Sequence, residues 1–196
     1  MTSQALVAWE EERATRLDKL VFAHQAVAGN GPGRRWLTEE INHALIVRLA
    51  AEFQGFFRDL HDESITAFID QAIPGSAEIR TTIRALLENG RKLDNGNANW
   101  ANIVSDFSRF GVSLARELEA MQPRYYAGRR DKLHRLNAAR NAIAHNDPVK
   151  LAACEAEQPL SLATFTSWRK ALDGTATGVD RVMSAYLIDL TGTRPW

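Results

Sequence analysis

The sequence predicts an all-α fold, a helical bundle formed by a single domain over residues 1–196. Apolar side chains recur at steps of three and four along most of the chain, which is the spacing of one helix face. The alternation of apolar and polar residues that marks a half-buried strand does not occur, and neither do repeats or low-complexity tracts. A length of 196 residues suits one well-buried core and is short for two ordinary domains.

The first half of the chain contains the strongest amphipathic pattern. A helix is predicted over residues 4–28, with a turn at the glycine-rich run 29–33. Thr38 is the expected N-cap of a central core helix, and shorter helices are predicted over 64–73 and 76–88. The apolar face of the central helix consists of Leu37, Ile41, Leu45, Leu49, Phe53, Phe56 and Leu60.

The second half of the chain alternates helices with clear breaks. Residues 89–99 are rich in Gly and Asn and are predicted to form a loop. Helices follow over 100–120 and roughly 125–146, and Pro148 ends the second of these. After a polar link, a last helix is predicted over 160–190, interrupted near Asp173 and Gly174.

Composition limits the kind of protein this can be. The apolar fraction is 45% and the charged fraction 24%, as in soluble globular proteins. No apolar run approaches the length of a membrane span, and the start does not resemble a signal peptide, so no membrane association is expected. The single Cys154 cannot form an internal disulfide, which favours a reducing compartment and a cytoplasmic location.

Charge is balanced overall but is unevenly distributed. The formal net charge is zero, which argues against a general nucleic-acid coat protein. Between residues 124 and 140 the only acid is Asp131. Such a segment is typical of a surface that engages RNA, and the alternative is a solvated helix face. The basic residues of the segment are Arg124, Arg129, Arg130, Lys132, Arg135 and Arg140.

Chemistry-bearing residues cluster at the end of the 125–146 helix. Arg140, Asn141 and His145 lie in its last turns, because Pro148 prevents the helix from continuing much further. An arginine presents a planar set of donors that suits a phosphate. A histidine gains or loses its proton near neutral pH. Together these side chains suit phosphodiester chemistry without a metal ion.

The arrangement Arg140-Asn141-x-x-x-His145 resembles the R-x4-6-H motif of the HEPN superfamily, in which a polar residue, commonly Asn, often follows the Arg. The resemblance extends to the all-helical architecture, here with extra short helices. It implies a metal-independent RNA endonuclease, in some members the toxin of a toxin–antitoxin pair. RNA, a second copy of the chain and an antitoxin protein are the implied partners, and no cofactor is implied.

The roles that the resemblance implies can be assigned to individual residues. His145 would transfer protons, Arg140 would stabilise charge on the phosphoryl oxygens, and Asn141 would hydrogen-bond the imidazole or a phosphate oxygen. Arg140 and His145 are separated by about 140° around an ideal helix. They converge only if the helix unwinds near Ala144, or if a homodimer places both motifs in one cleft.

Other residues are candidates for supporting roles. Lys132, His134 and Arg135 precede the motif and are expected to bind substrate. Glu52 is a candidate orienting carboxylate for Arg140 or His145, and the alternative is a place on the flank of its helix. The motif itself has a structural alternative, in which the histidine interacts with the helix dipole and the arginine pairs with a carboxylate.

No metal site is expected, because His24, His43 and His61 lack the pairwise spacing of metal ligands. Two further classes of function remain open beside the nuclease. The first is a non-catalytic HEPN module that binds RNA, a nucleotide or a protein partner. The second is a helical scaffold or antitoxin-like inhibitor, in which the motif matters only for stability.

Overall fold

The computed structural model describes residues 1–27 and 34–196, where all regular secondary structure is helical. The all-α prediction is therefore confirmed. Within those residues, no helix combines the length and apolar character needed to cross a bilayer. A π-helical turn, Trp9–Arg13, joins the first two helices, and a 3-10 turn, Ser108–Phe110, follows the sixth. The helices are α1 (Gln4–Ala8), α2 (Ala14–Val27), α3 (Arg34–Ala72), α4 (Ala77–Glu88), α5 (Lys92–Asn95), α6 (Trp100–Phe107), α7 (Leu114–Met121), α8 (Tyr126–Ala144), α9 (Pro148–Glu157) and α10 (Leu162–Thr191).

The central helix is α3, which packs against α1, α2, α8 and α10. Its middle turns carry Phe53, Phe56 and Phe57, all fully buried. The rings of Phe53 and Phe57 meet edge to face, with centroids 4.9 Å apart, and Phe107 of α6 extends the cluster. Pairs of this kind contribute about 0.5–1.5 kcal/mol each beyond the burial of their area. The motif helix α8 packs against the same α3.

The helix α3 is longer at both ends than the sequence predicts. Thr38 is not its N-cap, because the helix begins at Arg34. The predicted break before Ser64 is also wrong. The Ser64 hydroxyl donates to the Leu60 carbonyl at 2.7 Å, and a serine that bonds one turn back remains inside its helix. The predicted turn at 29–33 lies outside the described residues, and the described part of the first helix ends at Val27.

The predicted helix over 100–120 is divided into α6 and α7. Gly111 causes the division, since its φ of +88° is a left-handed conformation that glycine adopts without strain. A Cβ atom at Gly111 would also lie 3.0 Å from the Tyr186 hydroxyl, which donates to the Phe110 carbonyl. The apolar spacing continues across the break and therefore conceals it.

The predicted interruption near Asp173 and Gly174 is absent, and α10 is continuous there. Gly174 provides space instead of a turn. The Arg129 guanidinium of α8 lies where a Cβ atom would be and donates to the Gly174 carbonyl at 2.8 Å. The glycine thus permits close packing of α8 on α10.

The motif helix α8 is shorter than its predicted range by only a residue or two at each end. Pro148 ends this helix region but also begins α9, which occupies most of the predicted polar link. Proline is favoured at the first position of a helix, where its missing N–H is not needed. Asp147 caps α9 by accepting a hydrogen bond from the Lys150 N–H at 3.0 Å. The predicted loop 89–99 contains the short helix α5.

Candidate functional site

The motif helix α8 ends in a turn made by backbone hydrogen bonds. The Asn146 N–H donates to the Ile143 carbonyl at 3.1 Å, and the Asp147 N–H donates to the Ala142 carbonyl at 2.9 Å. This pair of bonds is a Schellman motif, and Asn146 has the left-handed φ of +49° that the motif needs. His145 caps the helix with φ −97° and ψ 4°. The helix therefore unwinds at His145, near the point that the sequence requires.

Arg140 is half-buried on the last full turn of α8. Its Nη1 donates to the Oδ1 of Asn141 at 3.0 Å, and the Nδ2 of Asn97 donates to the same oxygen at 3.3 Å. Among the residues that the structure describes, no carboxylate lies within ion-pairing distance of Arg140. The fold thus holds this guanidinium in place without neutralising its charge.

His145 is exposed at the end of the same helix. Its backbone N–H donates to the Asn141 carbonyl at 3.0 Å. Within the described part of the chain, the His145 imidazole forms no hydrogen bond or ion pair, and therefore none with Arg140. A single copy of the chain therefore presents the two groups near each other without joining them.

A ridge on α8 separates two open grooves and consists of His134, Ala138 and Asn141. The larger groove, about 1230 Å³, lies between α8 and α6 and contains Arg130 and Trp100 in its walls. The smaller groove, about 330 Å³, lies between α8, α9 and the start of α10. Since both grooves share the ridge, a molecule bound in either one would reach His134 and Asn141.

The three predicted substrate-binding residues differ in their surroundings. His134 is exposed and lines both grooves. Arg135 lines the smaller groove, but its guanidinium pairs with Asp131 at 2.9 Å and with Glu157 at 3.5 Å. The Nζ of Lys132 donates to the Ser167 hydroxyl of α10 at 2.9 Å. Of the three, only His134 is presented to both grooves.

Glu52 is not brought to the motif residues. Its buried carboxylate is 2.7 Å from Nη1 of Arg13 and 3.2 Å from Nη1 of Arg16, and it also pairs with Arg48 one turn earlier on α3. Burial opposes ionisation, but hydrogen bonds and charges from Arg13 and Arg48 outweigh it and lower the pKa of Glu52. Its role as an orienting carboxylate for the motif therefore has no support in the geometry.

The sequence interpretation missed the asparagines that support the motif. Asn97 lies in the connection before α6 and donates to Asn141, while the Nδ2 of Asn137 donates to the Ala98 carbonyl at 3.2 Å. Asn99 donates to Asn97 at 2.9 Å and caps α6. The available signal was the repeated asparagine in this connection, which the loop prediction explained only as turn chemistry.

No family model, curated protein or solved structure matches this chain. Any functional inference therefore depends on the residues of the site, because a helical fold alone does not specify function. Those residues supply an uncompensated guanidinium, an exposed imidazole and a set of amide donors. Burial raises the pKa of the nearby Cys154 thiol, with the carboxylates of Glu157 and Glu155 adding to the effect, so a thiolate nucleophile is disfavoured.

Proposed function

We propose that this chain is a HEPN-type, metal-independent RNA endonuclease whose active cleft forms between the α8 helices of two copies. One observation carries the proposal. At one helix end, Arg140 keeps an uncompensated charge and His145 stays accessible to solvent. In the structural alternative, Arg140 would be expected to pair with a carboxylate, and within the described residues it does not.

In the proposed reaction, a neutral His145 imidazole removes the proton from an RNA 2′-hydroxyl. The 2′-oxygen attacks the adjacent phosphorus, the bond to the 5′-oxygen breaks, and a protonated imidazole, supplied by the partner copy, donates a proton to the leaving oxygen. Arg140 stabilises the negative charge on the phosphoryl oxygens. Asn141 offers its Nδ2 to the same oxygens, since its Oδ1 is occupied by Arg140 and Asn97.

The dimer follows from what one copy lacks. Within one chain, Arg140 and His145 form no hydrogen bond with each other, and the helix end carries only one imidazole. The chain is exposed at the motif end of α8, where Ala144, His145 and Asn146 form a face that a second copy can approach. A two-fold axis beside this face would place two guanidiniums and two imidazoles in one cleft.

The first test is cleavage of RNA by purified protein in EDTA. We expect products with 2′,3′-cyclic phosphate ends. Arg140→Ala should lower the rate by about 10²–10³-fold, the usual effect of removing one donor that stabilises a transition-state oxygen. His145→Ala should lower it by about 10²–10⁴-fold. Arg181→Ala, which removes an exposed arginine of α10, is the matched control and should cleave normally. Intact RNA with the wild-type protein would contradict the proposal.

The second test separates a shared cleft from two independent sites. Equal amounts of wild-type and His145→Ala protein are mixed and allowed to exchange subunits. If one cleft needs the imidazoles of both copies, only the quarter of dimers that are wild type in both copies stay active, so the rate falls from about one half to about one quarter of that of wild-type protein at the same total concentration. If each site lies within one copy, the rate stays at about one half.

A non-catalytic HEPN module is the second candidate, because the large groove beside α8 offers amide donors while Arg140 and His145 are not in contact within one copy. Tight binding of RNA that stays intact would favour this candidate. A toxin role would be indicated by growth arrest on expression that His145→Ala abolishes. Relief of that arrest by a co-expressed protein would identify the antitoxin.

A further inference from the structure

A second cluster of polar side chains lies away from the motif, where the start of α3 meets α9. Glu39 and His43 are one helical turn apart on α3 and therefore share a face. Glu155 of α9 lies opposite them. One ligand atom from each of the three side chains lies within 4.8 Å of the others, and the His43 Nε2 is 4.0 Å from the Glu155 Oε1.

His43 is the residue that distinguishes this cluster from an ordinary group of surface acids. It is only 9% exposed, and its Nε2 is buried with no hydrogen-bond partner among the described residues. A buried polar atom without a partner destabilises the fold, so native structures nearly always satisfy such atoms. This nitrogen lies 4.0 Å from the Glu155 carboxylate, beyond hydrogen-bond distance, and Glu39 completes the cluster, so a further species bound between the three side chains would satisfy it.

We propose that Glu39, His43 and Glu155 bind a divalent transition-metal ion, with Zn²⁺ as the best-matched species. Zinc is held by imidazole nitrogen and carboxylate oxygen at about 2.0–2.2 Å, so its ligand atoms lie about 3–4 Å apart. The observed separations reach this range after small side-chain rotations, which the exposed Glu39 and Glu155 can make. Three protein ligands leave the fourth tetrahedral position to water.

The position of the cluster indicates what the ion would do. The helix α9 contributes no fully buried residue, and only Leu151 and Cys154 are packed against the core. An ion shared by α3 and α9 would hold this peripheral helix in place, and with it one wall of the smaller groove. The inference concerns the stability of α9 and goes beyond the nuclease proposal, on which it does not depend.

The sequence analysis does not predict this site and expects no metal. Searches for metal sites rely on local pairs such as His-x3-His, whereas here the helical pair combines a carboxylate with an imidazole. The third ligand comes from a distant helix. Only the packing of α9 beside the start of α3 brings the three side chains together.

Tag-free, chelator-treated protein titrated with ZnCl₂ tests the proposal. We expect one Zn²⁺ per chain by calorimetry and elemental analysis. At a free zinc concentration about 100-fold above Kd, the Tm should rise by about 5–10 °C. Glu155→Gln and Glu39→Gln should abolish both effects, while Glu40→Gln, a matched change at an exposed neighbour, should retain them.

Glu155→Gln is the decisive variant, because Glu155 is exposed and its substitution should leave the fold intact. His43→Ala would remove a buried side chain and could prevent folding. Cys154→Ser controls for adventitious binding to the thiol and should retain wild-type affinity. The proposal is overturned by wild-type protein that binds no zinc, by Glu155→Gln protein that binds as tightly as wild type, or by loss of binding in Cys154→Ser. In the first case the cluster is only an ion pair between protonated His43 and its acidic neighbours.

Discussion

Two groups of charged side chains in this molecule are built on opposite principles. At the interface of α3 with the first helices, Glu52 is buried and surrounded by Arg13, Arg16 and Arg48. At the end of α8, Arg140 meets only amide groups, and no carboxylate compensates it within the described chain. One group satisfies its charges internally, whereas the other leaves its charge available.

Under the proposed function, this difference separates structural charge from functional charge more clearly than residue type does. Both groups contain arginines on helices that pack against the core, and the sequence alone treats them alike. A compensated cation contributes to holding helices together, while an uncompensated one offers binding energy to an anion such as a phosphate. We therefore expect substitutions in the two groups to affect different measurements, stability in the first and catalysis in the second.

The largest effect should come from Glu52→Gln. Removing the carboxylate leaves three guanidiniums close together around a position that is 4% exposed. Breaking a buried ion pair by removing one partner costs about 3–5 kcal/mol in free energy of unfolding. In urea unfolding, that loss should appear as a lower midpoint, and in thermal unfolding as a Tm lower by about 6–15 °C.

Glu12→Gln is the matched control, because Glu12 pairs with Arg16 but is 71% exposed. An exposed pair of this kind contributes about 0–1 kcal/mol, so the control should unfold almost as the wild type does. If Glu52→Gln and Glu12→Gln lowered the free energy of unfolding equally, the buried ion pairs of Glu52 would contribute no more to stability than an exposed pair. Loss of RNA cleavage by a folded Glu52→Gln protein would instead restore Glu52 as a participant in the site.

A smaller effect is expected at low pH from His61, which is buried beside Arg91 and stays neutral. Burial and then the charge of Arg91 lower its pKa from 6.5 to about 4. The unfolded chain therefore binds this proton more tightly than the folded chain. The contribution of neutral His61 to the free energy of unfolding is fully present above pH 6.5 and is lost as the pH drops towards 4. Between pH 7 and 5 the loss should be about 2 kcal/mol.

Urea unfolding at pH 7, 6 and 5 measures this dependence, and His61→Gln should flatten it. The glutamine retains a donor for the Asp106 carbonyl, which lies 3.2 Å from the His61 Nε2. His134→Gln removes an exposed imidazole and should keep the wild-type slope. A slope that persists unchanged in His61→Gln would assign the acid sensitivity to other groups.

The helices that the sequence predicted well are those whose ends depend on local chemistry. The bounds of α8 follow from its apolar spacing and from Pro148, which cannot continue a helix. The division at Gly111 and the continuity at Gly174 were both missed, because a glycine either turns the chain or makes space for a neighbour. Tertiary contacts, here with Tyr186 and Arg129, decide between these two uses.

The candidate site was predictable to the same extent. Arg140, Asn141 and His145 are close in sequence, so their common location at one helix end could be anticipated. Partners from distant helices could not. Glu52 turned out to be compensated by Arg13 and Arg16, which belong to segments whose packing on α3 has no local signature.

The smallest effect should come from Asn97, which we regard as a positioning residue. Its Nδ2 donates to the Asn141 oxygen that also accepts from Arg140, so Asn97→Ala should loosen the guanidinium without removing it. A misplaced donor costs part of the transition-state stabilisation. We expect kcat for RNA cleavage to fall about 10-fold, equivalent to one net hydrogen bond of about 1–1.5 kcal/mol, with KM little changed.

Asn95→Ala provides the comparison, because Asn95 is exposed at the end of α5 in the same asparagine-rich segment. Equal kinetics for the two variants would mean that the Asn97 amide does not position the Arg140 charge. If kcat falls only in Asn97→Ala and the Tm stays unchanged, the amide groups of Asn97 and Asn141 position the Arg140 guanidinium. In Arg140→Ala protein the same Asn97 substitution should then have a smaller effect on the rate, since Arg140 is already gone and only Asn141 is left to position.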